Sequence, residues 1–72
     1  MAQTFTLEQL TVIQALVRRL PRSSDDEAKE IRAGLRSVGF RIEGLKRRGG
    51  DRYSLIDLQQ DVDAGEIEIR FE

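Results

Sequence analysis

The chain of 72 residues contains no cysteine and no histidine. Without cysteine there is no disulfide to staple a small fold, and no thiolate to bind zinc or attack a substrate. Without histidine, the commonest general base near neutral pH and the commonest metal ligand are both missing. Ser23, Ser24, Ser37 and Ser54 therefore have no imidazole to activate them. No apolar run approaches the roughly 20 residues needed to cross a bilayer. The opening Met-Ala-Gln-Thr-Phe-Thr has neither the charged nor the apolar region of a signal peptide, so the expected location is cytoplasmic. No P-loop, dinucleotide fingerprint, linker, repeat or low-complexity tract is present. These absences point to a non-enzymatic protein with no cofactor, no metal site and no membrane role.

What remains is one small domain spanning 1–72. Leu, Ile, Val and Phe are frequent enough to argue against disorder. A core of this size supplies only about 3–5 kcal/mol of net stability, so association as a homodimer is plausible. Net charge is −1, yet the charge is unevenly placed. Residues 1–56 hold eleven Lys/Arg and seven Asp/Glu, a balance of +4. Residues 57–72 hold Arg70 against six acids, a balance of −5. A basic body and an acidic end are separate electrostatic surfaces.

Hydrophobic spacing predicts a helix from Thr6 to Leu20. Leu10, Ile13, Val17 and Leu20 form its apolar stripe, with Leu16 flanking. Thr6 and Gln9 fit a capping box, Phe5 can act as a hydrophobic staple, and Pro21 ends the helix. A second helix is predicted from Ser24 to Val38. Ser24 and Glu27 cap it, and Asp25, Asp26 and Glu27 complement the positive helix start. Ala28, Ile31, Leu35 and Val38 are its buried stripe. Gly34 permits close approach of the first helix, and Gly39 suits a left-handed cap.

The run Lys46, Arg47, Arg48, Gly49, Gly50, Asp51, Arg52 lies between two short alternating segments, Phe40/Ile42 and Tyr53/Leu55. A glycine pair between alternating runs predicts a β-hairpin, here with strands near 40–44 and 52–56 and a basic tip. Residues 57–64 read two ways. Asp57 and Gln60 could cap a helix of about two turns, with Leu58 and Val62 inward and Gly65 closing it. The alternative is a longer strand with a turn at Asp63-Ala64-Gly65. Glu66 to Glu72 alternates strictly and predicts a last strand with Ile67, Ile69 and Phe71 on one face. The expected fold is α+β, two N-terminal helices packed on a small three-stranded antiparallel sheet, in the order ααββ(α)β.

The stretch Leu35-Arg36-Ser37-Val38-Gly39-Phe40-Arg41-Ile42-Glu43-Gly44, followed by Gly49-Gly50-Asp51-Arg52-Tyr53-Ser54-Leu55, resembles the end of the recognition helix and the wing of winged-helix transcription regulators. The resemblance covers residues 35–55, about a third of the chain. It implies DNA binding through the wing, at Lys46, Arg47, Arg48 and Arg52. A full winged helix has three helices before its wing, and only two fit here. The same segment is faintly similar to small toxin-type RNA-binding folds, whose catalytic histidine this chain lacks.

Lys29, Arg32 and Arg36 repeat at i, i+3, i+7, which places them on one helix face, opposite the buried stripe in this reading. Arg41 leads from that helix toward Lys46, Arg47, Arg48 and Arg52, and Arg18, Arg19 and Arg22 can extend the patch. Such groups pair with phosphates and release counterions. The plainer alternative is a solvated charged face, with Asp25 placed to neutralise Lys29. The acidic helix start at Asp25, Asp26 and Glu27 disfavours docking by the N-terminal end on DNA.

A different class of function rests on the acidic end. Glu66, Glu68, Arg70 and Glu72 project from a strand that can lie at a sheet edge, where a protein partner can add a strand. This would suit an inhibitor or adaptor of the phage or mobile-element type, by analogy alone. Edge charges also serve simply to prevent aggregation. Asp61-Val62-Asp63-Ala64-Gly65 falls short of a calcium loop, which needs glycine at the sixth position where Glu66 stands. Asp57 with Glu66-Ile67-Glu68 imitates a nuclease cluster, but Arg70 occupies the lysine position and cannot lose a proton. The sequence thus favours a nucleic-acid partner, DNA over RNA, with a protein partner as the alternative.

Overall fold

The computed structural model of the chain describes residues 3–42, 45 and 52–71. Its elements run β1 (Gln3–Thr6), α1 (Leu7–Arg19), a 3-10 turn (Leu20–Arg22), α2 (Asp25–Ser37), α3 (Leu55–Asp63) and β2 (Ile67–Arg70). Among the described residues the sheet has two strands, β1 and β2, and they are parallel. Gln3 is registered with Ile67, and Phe5 with Ile69. The expected three-stranded antiparallel sheet in the order ααββ(α)β is therefore wrong.

The helices form for the reasons the sequence supplies. At α1, Gln9 N–H donates to Thr6 Oγ1 at 3.2 Å, and Thr6 N–H donates to Gln9 Oε1 at 2.9 Å. That reciprocal pair satisfies two donors of the first turn. Leu10, Ile13 and Val17 face inward and are buried. Pro21 cannot continue the α-helical ladder, and the chain tightens into the 3-10 turn, burying Leu20. At α2, Ser24 and Glu27 make the second capping box. The helix closes at Val38, and Gly39 takes φ +84°, a left-handed conformation that glycine adopts without strain.

The two strands of the expected hairpin do not form among the described residues. Phe40, Arg41 and Ile42 make no ladder, Arg52 to Ser54 are irregular, and Leu55 opens α3. Residues 43–44 and 46–51 lie outside the described set, and with them the basic tip. The wing implied by residues 35–55 thus loses its described strand positions. The alternation that suggested strands has another origin. Phe40 and Tyr53 are buried plugs rather than strand residues. Phe40 stacks at a tilt against Phe5, with centroids 5.7 Å apart, and against Tyr53 at 5.9 Å. Ser54 is extended because it is the residue before a helix, where β-region backbone is the rule.

For residues 57–64 the helical reading holds, but the cap is Ser54, three residues before the expected Asp57. The Ser54 N–H and Oγ–H both donate to Asp57 Oδ2, at 3.0 and 3.1 Å. Leu58 is buried and Val62 half-buried. Gly65, at φ +81°, turns the chain into β2.

The helix α1 is the hub. It packs against β1, β2, α2 and α3, whereas α2 packs on α1 and the 3-10 turn. The sheet accordingly rests on α1 and α3, not on α1 and α2. Leu16 of α1 lies over Gly34 of α2, where an added Cβ would meet Leu16 Cδ1 at 3.4 Å. The core joins both layers through Phe5, Ile13, Val17, Leu35, Phe40 and Ile67. Among the described residues no helix is long and apolar enough to cross a membrane.

Candidate nucleic-acid interface

Three of the eight predicted basic contacts share one side of α2. Lys29 and Arg36 are exposed, and Arg32 is half-buried. At 100° per residue the trio is centred about 100° from Ala28, Ile31 and Leu35. The basic stripe therefore flanks the buried seam instead of opposing it, which explains why Arg32 is partly covered. The side opposite the seam carries Asp26, Glu30, Ala33 and Ser37, all exposed. From Lys29 to Arg36 the stripe spans about 10 Å of helix axis, a length over which duplex DNA carries about six phosphates.

Arg41 follows α2 after the glycine turn and is exposed. Its backbone is fixed by Gln3, whose Nε2–H donates to the Arg41 carbonyl and whose Oε1 accepts the Arg41 N–H, both at 2.9 Å. This clamp ties the exit of α2 to β1. Gln3 was not singled out by sequence reasoning, and no local pattern marks a contact across 38 residues.

Arg52 stands apart from the other cations. One guanidinium nitrogen donates to the Ser23 carbonyl, to Ser23 Oγ at 2.9 Å and to the Leu20 carbonyl at 3.3 Å. The other donates to Asp25 Oδ1 at 2.7 Å. Arg52 is only 26% exposed, while Asp25 is 95% exposed. The fork thus fastens the segment before α3 to the corner between α1 and α2. The structure gives Arg52 a fold-holding place rather than a place on the surface stripe. Lys46, Arg47 and Arg48 lie outside the described residues.

The acidic end is partly surface and partly core. Glu66, Glu68 and Arg70 are exposed, and Glu72 lies outside the described residues. Asp57 and Asp61, by contrast, are buried. Tyr53 Oη–H donates to Asp61 Oδ2 at 2.5 Å. Every buried side-chain nitrogen and oxygen among the described residues has a hydrogen-bond partner. Among those residues no cluster of three or more acids is arranged to hold a metal ion. The signal for this inner pair was a carboxylate at i and i+4 beside Leu58, preceded by a tyrosine. No protein-family model, curated protein or solved structure matches the chain.

Proposed function

We propose that this chain is a small non-enzymatic nucleic-acid-binding module, with duplex DNA favoured over RNA. The observation that carries the reading is the basic flank of α2, with Lys29 and Arg36 exposed and Arg32 half-buried between them, continued by the exposed Arg41 beyond the helix end. Arg41 is held in place by the Gln3 clamp, so the flank and the exit segment have a fixed relation. Lys46, Arg47 and Arg48 follow within a few residues and supply the remaining charge. The acidic start of α2 turns phosphate away from Asp25, Asp26 and Glu27, so contact falls on the middle and end of the helix. The mechanism is electrostatic: cations pair with phosphates and displace counterions, which makes affinity fall steeply with salt.

Fluorescence anisotropy with labelled duplex DNA and single-stranded RNA, at several salt concentrations, tests this. Binding is expected to weaken linearly in log salt, and each neutralising change among Lys29→Ala, Arg36→Ala and Arg41→Ala to reduce the slope by about 0.9. Arg47→Glu with Arg48→Glu is expected to abolish binding. Absence of binding to either probe at low salt overturns the proposal.

A second reading is favoured by the outer edge of β2, beside which Glu66, Glu68 and Arg70 are exposed. An open edge suits a protein partner that adds a strand. Charge reversal at Glu66 and Glu68 is expected to abolish such an association while leaving nucleic-acid binding intact.

A further inference from the structure

The backbone of β2 has a defined phase. In a parallel ladder each residue bonds to the two residues flanking its registered partner. Gln3 is registered with Ile67, and its N–H donates to the Glu66 carbonyl at 3.0 Å. Phe5 is registered with Ile69. The Glu66 carbonyl and the backbone groups of Glu68 and Arg70 therefore face β1, and those of Ile67 and Ile69 face the outer edge, a phase that Phe71 continues if the strand is extended by one residue. Among the described residues no third strand lies along that edge. Side chains alternate in the same phase. Ile67 is buried, Ile69 half-buried and Phe71 77% exposed on one face, while Glu68 and Arg70 are exposed on the other.

We propose that this edge pairs antiparallel with β2 of a second copy of the chain, about a two-fold axis at Ile69. Edge groups can bond only to edge groups, so Ile69 opposes Ile69 and Ile67 opposes Phe71. Glu68 then opposes Arg70 twice, once on each side of the axis. A slip of two residues keeps the hydrogen-bond phase but sets Glu68 against Glu68, or Arg70 against Arg70, at the centre. A slip of one sets inward-facing groups against the edge. Charge complementarity and backbone phase thus select one register, and they select it for a strand of this same sequence.

The pairing also completes two features of the isolated chain. A two-stranded sheet becomes four-stranded, past the size at which a sheet is stable only marginally. Phe71 of the second copy is covered, lying opposite Ile67 and diagonal to Ile69. Ile69 lines an open pocket of about 350 Å³, walled by leucines and Val62 of α1 and α3 together with the polar Gln14, Arg18 and Gln59. The dimer is independent of the basic flank on α2, so either proposal can fail without the other.

Sedimentation equilibrium of the full chain across micromolar concentrations tests the pairing. The unaltered chain is expected to show a concentration-dependent dimer. Glu68→Arg alone and Arg70→Glu alone each turn both opposed pairs into like charges, and each is expected to raise the dissociation constant by about tenfold or more. An equimolar mixture of the two variants restores opposite charges at every pair and is expected to regain association as the mixed dimer. Phe71→Ser, at an exposed position outside the core, is expected to weaken the dimer as well. Circular dichroism confirms that each variant keeps its helices. A monomer at all concentrations, single reversals that dimerise normally, or a mixture that fails to recover would each overturn the proposal.

Discussion

The hydroxyl of Tyr53 donates to a carboxylate oxygen of Asp61 across eight residues, 2.5 Å apart and wholly within the core. The bond joins the segment entering α3 to the second turn of that helix. Removing one partner of a buried hydrogen bond leaves the other unsatisfied, at a cost of about 1–3 kcal/mol. Tyr53→Phe keeps the ring beside Phe40 and removes the hydroxyl. The expected loss is about 2 kcal/mol, seen as a lower urea midpoint with an unchanged slope. A midpoint equal to that of the unaltered chain would show that the bond contributes nothing net.

Arg52 and Asp25 form an ion pair whose two members contribute unequally. Arg52→Ala removes donors to two backbone carbonyls and a serine hydroxyl at the α1–α2 corner. It is expected to cost about 1–2 kcal/mol and to speed amide exchange at Ser23 to Glu27. Asp25→Asn removes a carboxylate that is almost fully in water, and its expected cost is at most about 0.5 kcal/mol. Equal losses for the two variants would contradict this assignment. Because the Arg52 fork is turned inward, Arg52→Ala should also leave the salt slope of nucleic-acid binding unchanged.

Gly34 and Gly39 are expected to respond to alanine in opposite directions. At Gly34 the backbone is helical, and an added methyl meets only the flexible end of Leu16, at 3.4 Å. Gly34→Ala should stabilise the protein by about 0.5–1 kcal/mol, through lower entropy of the unfolded chain. At Gly39 there is open space, but φ is +84°. Gly39→Ala should destabilise by about 1–2 kcal/mol from backbone strain. Thermal denaturation of both variants settles the signs.

The helices were legible because their signals are local. Thr6/Gln9 and Ser24/Glu27 each lie within one turn, and the stripes Leu10-Ile13-Val17 and Ala28-Ile31-Leu35 repeat at a period set by the backbone. Sheet pairing is not local. Gln3-Thr4-Phe5-Thr6 is only four residues long, and its Phe5 and Thr6 already had roles as staple and cap. Its partner lies at the far end of the sequence, so nothing nearby announced a strand. The false hairpin came from the same weakness. Alternation over three or four residues, as in Phe40/Ile42 and Tyr53/Leu55, also arises when an aromatic plug precedes a turn or a helix cap. For the candidate interface, the spacing of Lys29, Arg32 and Arg36 was readable. The engagement of Arg52 with Ser23 and Asp25, and the burial of Asp57 and Asp61, depended on how distant segments meet.

The pairing of Gln3 with Ile67 has a consequence for how the chain reaches its native state. Joining residue 3 to residue 67 closes a loop that takes in almost the whole described chain, and such long-range contacts slow folding more than they weaken the finished structure. During synthesis β1 emerges first and has no strand to pair with until β2 has left the ribosome. Phe5 must wait with it, while α1 and α2 can already cap and pack. The sheet acts as a latch: this topology is reached only after β2 has been made.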